Sequence, residues 1–169
     1  MPEKETIERA REDEREGKAP STQAGEFVRE EIHHVREGKH GARSPQQAIA
    51  IGLSKARRAG VKLAAPGRSK VRARTRAQAK RDLRKGRTAR RRKTSGRRSR
   101  AVSRALKRES RKAASRQALG RQGHRSARAR GRSSRRSAAR KAVSTKRRPG
   151  LKLAARKAAR TRQTHRKAA

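Results

Sequence analysis

His33, His34 and His40, with Glu30, Glu31 and Glu37 around them, form the one cluster in this sequence whose residue types suit a metal ion. Glu30 and His34 stand four apart, on one face if the segment is helical, which is the spacing of a surface site. The spacing of the whole cluster fits no established zinc signature, and it lies in a run of alternating charge. It reads as a solvated polar face, with no metal and no cofactor expected. The remaining catalytic options are few. There is no cysteine, no Asp in a Ser-His-Asp arrangement and no glycine-rich loop ending in Lys-Ser/Thr. The chain also has too little apolar sequence to desolvate a reacting group. No enzyme is expected.

The chemistry left is cationic. Lys and Arg number 55 against 13 Asp and Glu, a formal net charge of +42. The charge is unevenly spread: residues 1–40 hold 8 basic and 11 acidic residues, whereas residues 41–169 hold 47 basic residues and only Asp82 and Glu109 as acids, a net of +45. Such a density calls for polyanions, and phosphates need only charge and reach. The contact residues expected are Arg90, Arg91, Arg92 and Lys93, then Arg97, Arg98 and Arg100, then Arg135 and Arg136, and finally Lys146, Arg147 and Arg148. Reading bases requires side chains held rigidly against groove edges, so a flexible basic tail implies binding with little sequence preference. The tail has no Phe, Tyr or Trp for stacking on single-stranded bases, which favours duplex DNA over RNA. It also lacks the interleaved large apolar residues of a membrane-surface helix, so no membrane partner is expected.

The elements that must position these residues are helices. Ser44 to Gly60 carries a complete set of local signals: Ser44 as N-cap, Pro45 at the first helical position, Gln47 completing a capping box, and Gly60 as the stop. Ala48, Ile49, Gly52, Leu53 and Ala56 share one face, and Lys55, Arg57 and Arg58 give a basic last turn at the border of the basic region. A second amphipathic helix is expected over 22–37, capped by Ser21 or Thr22, with Ala24, Phe27, Val28, Ile32 and Val35 as its stripe and Gly38 as its stop. The two make a helical hairpin module over 21–65, with Phe27, Val28, Ile32, Val35, Ile49 and Leu53 as its core. Nine large apolar side chains, these with Ile51, Val61 and Leu63, are few for independent stability, so self-association or ordering on a partner is expected.

Outside the module the expectations are weaker structures. Residues 1–20 read as a charged, fraying helix with Thr6 as its cap and Gly17 at its end. Their acidic side chains are placed to fold over the basic region and compete with phosphate. Residues 66–169 read as a disordered, low-complexity Arg/Lys/Ala/Ser-rich tail. Transient helices are expected at Thr75–Lys85 and Ser99–Leu119, stopped by Gly86 and Gly120. Serines beside arginines, such as Ser99 and Ser103, suit a basophilic kinase.

The segment TQAGEFVREEIHHVREGKHGARS, followed by QAIAIGLSKARRAG, resembles a family of small basic bacterial proteins of unknown function. The likeness extends to TIERAREDEREGK at the start and, more weakly, to Arg76–Gly86 and Arg98–Gln117. It implies no catalytic residues. The tail is similar to linker-histone tails in composition only.

The charged amino terminus has no apolar run of a secretory signal and no stretch long enough to span a membrane. A cytoplasmic, nucleoid-associated, histone-like protein that neutralises DNA phosphates is therefore expected. The alternatives are an RNA- or ribosome-associated basic protein and an adaptor, in plasmid maintenance or stress response, that acts through its helical module.

Overall fold

The computed structural model describes residues 2–67, 71–88 and 95–145, and among them the chain is mostly helical, without strands. Helix α1 spans Lys4–Arg15, α2 Pro20–Glu37, α3 Pro45–Arg58, α4 Ala73–Arg87, α5 Gly96–Arg108, α6 Arg116–Ala129 and α7 Gly131–Thr145. A 3-10 turn at Arg111–Ala114 separates α5 from α6. No helix among the described residues is long and apolar enough to cross a membrane. The chain divides into two compact units, Met1–Gln122 and Gly123–Ala169.

The centre of the first unit is the hairpin of α2 and α3. Ser44 accepts a hydrogen bond from the Gln47 amide at 3.3 Å. The Gln47 side chain returns to the Arg43 amide at 2.8 Å, one residue before the cap, so the box closes on its N-terminal neighbour. At the other end Gly60 adopts a φ of 106°, the Gly60 amide donates to Arg57 O and the Val61 amide to Ala56 O. These two bonds make a Schellman stop, which turns Val61 and Leu63 back onto the hairpin.

Contact between α2 and α3 is made by small residues. Ala48, Gly52 and Ala56, four apart, are the buried apolar stripe of α3. A Cβ on Gly52 would stand 2.7 Å from Val28 Cα, so the helices meet nearly backbone to backbone. The expected core is modified accordingly. Phe27 and Val35 are fully buried, whereas Val28, Ile32, Ile49 and Leu53 are half-buried, because the closest approach is occupied by glycine and alanine. Burial of Phe27 stabilises the fold by about 2–3 kcal/mol.

Two further contacts enlarge the packed unit beyond the 21–65 hairpin. Helix α1 contributes Ile7 and Ala10 to the cluster around Phe27, Ala24, Ala56 and Val61. It starts after Glu3, and Thr6 is buried inside the helix, where it accepts from Arg9 at 3.2 Å, instead of capping it. Likewise α2 starts at Pro20 after Ala19 with no side-chain cap, since Pro supplies the first helical φ and has no amide to satisfy. On the other side, Ala113 and Ala114 of the 3-10 turn complete a second cluster with Val35, Ala42 and Ala48. The Gly41 amide donates to Leu106 O at 2.8 Å, the Ala42 amide to Ser110 O at 3.1 Å, and Arg36 Nε to Ala114 O at 2.9 Å.

Helix α4 packs on α3 through a polar contact. Asp82, only 2% exposed, accepts from the Ser54 hydroxyl at 2.8 Å and from Gln78 at 3.1 Å. Gly86 lies directly against the Arg57 carbonyl. It therefore stays within α4, which runs on to Arg87. The expected Ser99–Leu119 helix is broken at Glu109 and Ser110, both extended, because the chain there bonds to residues 41 and 42. Gly120 lies inside α6 and does not stop it.

In the second unit, α7 carries Gly131–Thr145, with its described side chains exposed.

Candidate functional site: a buried charged cluster and exposed basic helices

Glu30 and Glu31 face inward from the middle of α2, with side chains only 2% and 1% exposed. Adjacent carboxylates at that depth repel each other and need cations. Lys55, from the last turn of α3, supplies one: its Nζ stands 2.6 Å from Glu31 Oε2 and 3.4 Å from Glu30 Oε1. The helix that the sequence marks most clearly thus spends a charge of its basic turn inside the protein. The other two are also engaged. Arg57 is buried and donates to Leu63 O and Ala64 O, and burial pulls its guanidinium below the ordinary value. Arg58 Nε bonds Ser54 O and lies 3.9 Å from Asp82.

The histidines divide into one exposed and two enclosed residues. His33 is exposed. His34 and His40 have side chains 12% and 18% exposed, with their rings 6.2 Å apart in an edge-to-face arrangement. His34 Nε2 is 2.8 Å from Glu3 Oε1, while its Nδ1 is 3.9 Å from Glu30. His40 Nδ1 bonds Gly41 O at 3.0 Å, and its Nε2 is 3.2 Å from Glu31 Oε1. The cluster is therefore not the solvated face expected from its polarity: α1 and the 39–42 segment cover it. Spacing on one helix gives no view of those two covering pieces.

Glu3 ties α1 to this cluster. It accepts from His34 and from Lys39 at 3.2 Å, and these two hydrogen bonds, His34 foremost, hold its carboxyl below the ordinary value. Lys39 is raised in turn, first by Glu37 and then by Glu3. An open groove between α1 and α2, lined by Glu3, Thr6, Arg9, Glu30, His34 and Lys39 among others, leads to the His34 ring. The ion pairs of residues 3–16 reach Glu26 and His34 on α2 and Lys18, Lys39 and Lys62, none beyond residue 62 among the described residues.

The expected phosphate contacts fall in three places. Arg97, Arg98 and Arg100 lie exposed on the first turns of α5, and Arg135 and Arg136 lie exposed on α7. Arg90, Arg91, Arg92, Lys93, Lys146, Arg147 and Arg148 lie outside the described residues. On α5 Arg97, Arg100 and Arg104 follow one another at three and four residues, a stripe about 10 Å long. The two carboxylates of the basic region do not neutralise that stripe: Asp82 is buried against α3, and Glu109 faces Arg43 at 3.6 Å.

No family model, curated protein or solved structure matches this chain.

Proposed function

We propose that the chain is a nucleic-acid-binding protein of the nucleoid-associated, histone-like kind, in which a small helical unit carries cationic helices that neutralise the phosphates of duplex DNA. The observation that carries this reading is the separation of charge. The carboxylates of residues 1–40 are largely matched by Lys, Arg and His within the first 62 residues, while both acids of the basic region turn toward the folded unit. The arginines of α5 and α7 are left facing solvent. Arg is the better cation for this task, since its planar fork pairs with two phosphate oxygens at once.

Beyond Gln122 the Arg/Lys/Ala/Ser-rich sequence has little to bury, and like charges along α7 oppose the helix. Phosphate neutralisation relieves that repulsion and stabilises α7 on the polymer. Contact through phosphates implies compaction or bridging with little sequence preference. The lack of aromatic platforms favours duplex over single strands.

The test is a gel shift of the full-length protein on duplex DNA and on RNA of matched length across salt. If about ten phosphates are neutralised, the slope of log K against log salt is roughly −9 on duplex DNA. Replacing Arg97, Arg98 and Arg100 together by Ala flattens it by about 3, uniformly across sequences. Absence of binding to either polymer at physiological salt overturns the proposal, and tighter binding to RNA transfers it to the ribosome-associated reading.

A further inference from the structure

Glu31, His34 and His40 each present one donor atom, and the three donors lie within 4.8 Å of one another. Glu31 and His34 come from successive turns of α2, at i and i+3, and His40 comes from the segment that follows the left-handed Gly38. The tertiary fold, not the helix spacing alone, creates this triangle.

A second observation points to a ligand. Glu31 is fully buried, yet neither of its carboxylate oxygens has a hydrogen-bond partner among the described residues. Lys55 and His40 stand at ion-pair distance, but neither approaches in hydrogen-bonding direction. A buried carboxylate with charge compensation and no directed bond is costly unless something else occupies its lone pairs. The imidazoles are oriented for that role. The Nδ1–H of His40 is taken by Gly41 O, which leaves the Nε2 lone pair toward Glu31. The Nε2–H of His34 is taken by Glu3, which leaves Nδ1 toward the interior. A carbonyl and a carboxylate on the far ring nitrogens are the outer contacts that fix the tautomer of metal-binding histidines.

The charge of the cluster agrees. Glu3, Glu30, Glu31 and Glu37 face Lys39 and Lys55. With neutral imidazoles the six groups carry a net charge of −2, which one divalent cation cancels.

We infer that Glu31, His34 and His40 form a binding site for a divalent first-row transition ion, of which zinc is the best fit, holding the end of α2 to the 39–42 segment. Glu31 Oε1 is the carboxylate donor, and Oε2 keeps Lys55. Two nitrogens and one carboxylate oxygen are a common zinc donor set, with a water completing the tetrahedron. Donors in such a tetrahedron stand roughly 3.4 Å apart, so about 1 Å of imidazole movement closes the site. The groove between α1 and α2 gives an entry path to His34. This site is independent of phosphate binding.

The experiment uses the full-length protein, stripped with a chelator and titrated with zinc against a chromophoric competitor, with cobalt as a spectroscopic substitute. One saturable equivalent is expected, with the visible absorption of tetrahedral cobalt and a zinc-dependent rise in melting temperature. His40→Ala and Glu31→Gln are each expected to weaken zinc by at least about 10-fold, since each removes a direct ligand where even an outer contact costs that much. A His33→Ala/His124→Ala/His165→Ala variant, which keeps all three proposed donors, is expected to bind as wild type. No saturable equivalent in the wild-type protein overturns the inference, and this holds whether or not the variants fold. It is equally overturned if binding survives in His40→Ala and is lost in the triple variant.

Discussion

Lys55 Nζ lies 2.6 Å from Glu31 Oε2, joining the last turn of α3 to the middle of α2. The two residues are 24 positions apart in the chain, and the ammonium group serves both Glu31 and Glu30. This contact, and not the apolar stripe alone, fixes the register of the hairpin. Sliding α3 by one turn would move Lys55 away and leave two buried carboxylates without it.

Replacing Lys55 by Met is accordingly expected to destabilise the protein by about 3 kcal/mol, the usual cost of removing one partner from a buried pair. Adding Glu31→Gln to that variant recovers part of the loss, because one of the two buried carboxylates that Lys55 served is then uncharged. Thermal unfolding followed by helical circular dichroism measures both.

Gly52→Ala places a methyl group where Val28 Cα already stands, 2.7 Å from the new Cβ. Backbone cannot yield as a flexible side chain can, so α2 and α3 must separate. The expected cost is about 1–3 kcal/mol in urea unfolding, against a gain of under 1 kcal/mol from better helix propensity. Stability equal to wild type would refute the backbone-to-backbone contact.

The packed unit is expected to extend well past residue 65. Asp82→Ala removes the acceptor of Ser54 and Gln78 and is expected to cost about 2 kcal/mol for the contact between α4 and α3. Hydrogen exchange of the backbone amides reads this directly. In the wild-type protein, amides of 74–86 and 106–114 exchange slowly; in Asp82→Ala, the 74–86 set exchanges faster and the 106–114 set is unchanged. Rapid exchange of both sets in the wild-type protein would confine the folded unit to the hairpin.

Glu3 gives a pH dependence of known sign. Its carboxyl is held below the ordinary 4.5, chiefly by the hydrogen bond to His34. A depressed carboxylate contributes stability that is present above the ordinary value and is lost as pH falls through the lowered one. Glu3→Gln is therefore expected to be slightly less stable than wild type at pH 6 and to converge with it in acid, below the lowered value. Acid unfolding curves of the two proteins, followed by circular dichroism, test this. A constant difference down to the lowest pH would remove Glu3 from the account.

Much of the helical order was legible locally. Ser44, Pro45, Gln47 and Gly60 are contiguous signals whose effects need no distant partner, and the structure places α3 where they put it. Gly38 likewise ends α2 at a positive φ. The caps of α1 and α2 were misplaced because a Thr or Ser near a helix start is an opportunity, and burial of Thr6 against α2 was a stronger demand. Glycine is costly within a helix, so the sequence alone predicts stops at Gly86 and Gly120. Gly86 instead gives α4 its close approach to the Arg57 carbonyl, a contact 29 positions away.

The same division holds for the candidate sites. The exposed arginines of α5 and α7 were legible, since a basic run with no nearby acid has nowhere to go but solvent. The Glu31, His34 and His40 triangle was not, because α1 and the 39–42 segment had to enclose it before polar residues became buried ones.

Sequence alone determined the helical composition, the hairpin with the cap of α3 and the glycine stops of both its helices, and the separation of a charge-mixed beginning from a cationic remainder, all of which follow from local propensity and composition. Only tertiary structure decided that Lys55, Arg57 and Asp82 are internal groups, that alanines of a 3-10 turn complete the core, and that three donors from two elements converge. Those outcomes depend on distance in space, which a one-dimensional pattern of charges and spacings does not contain.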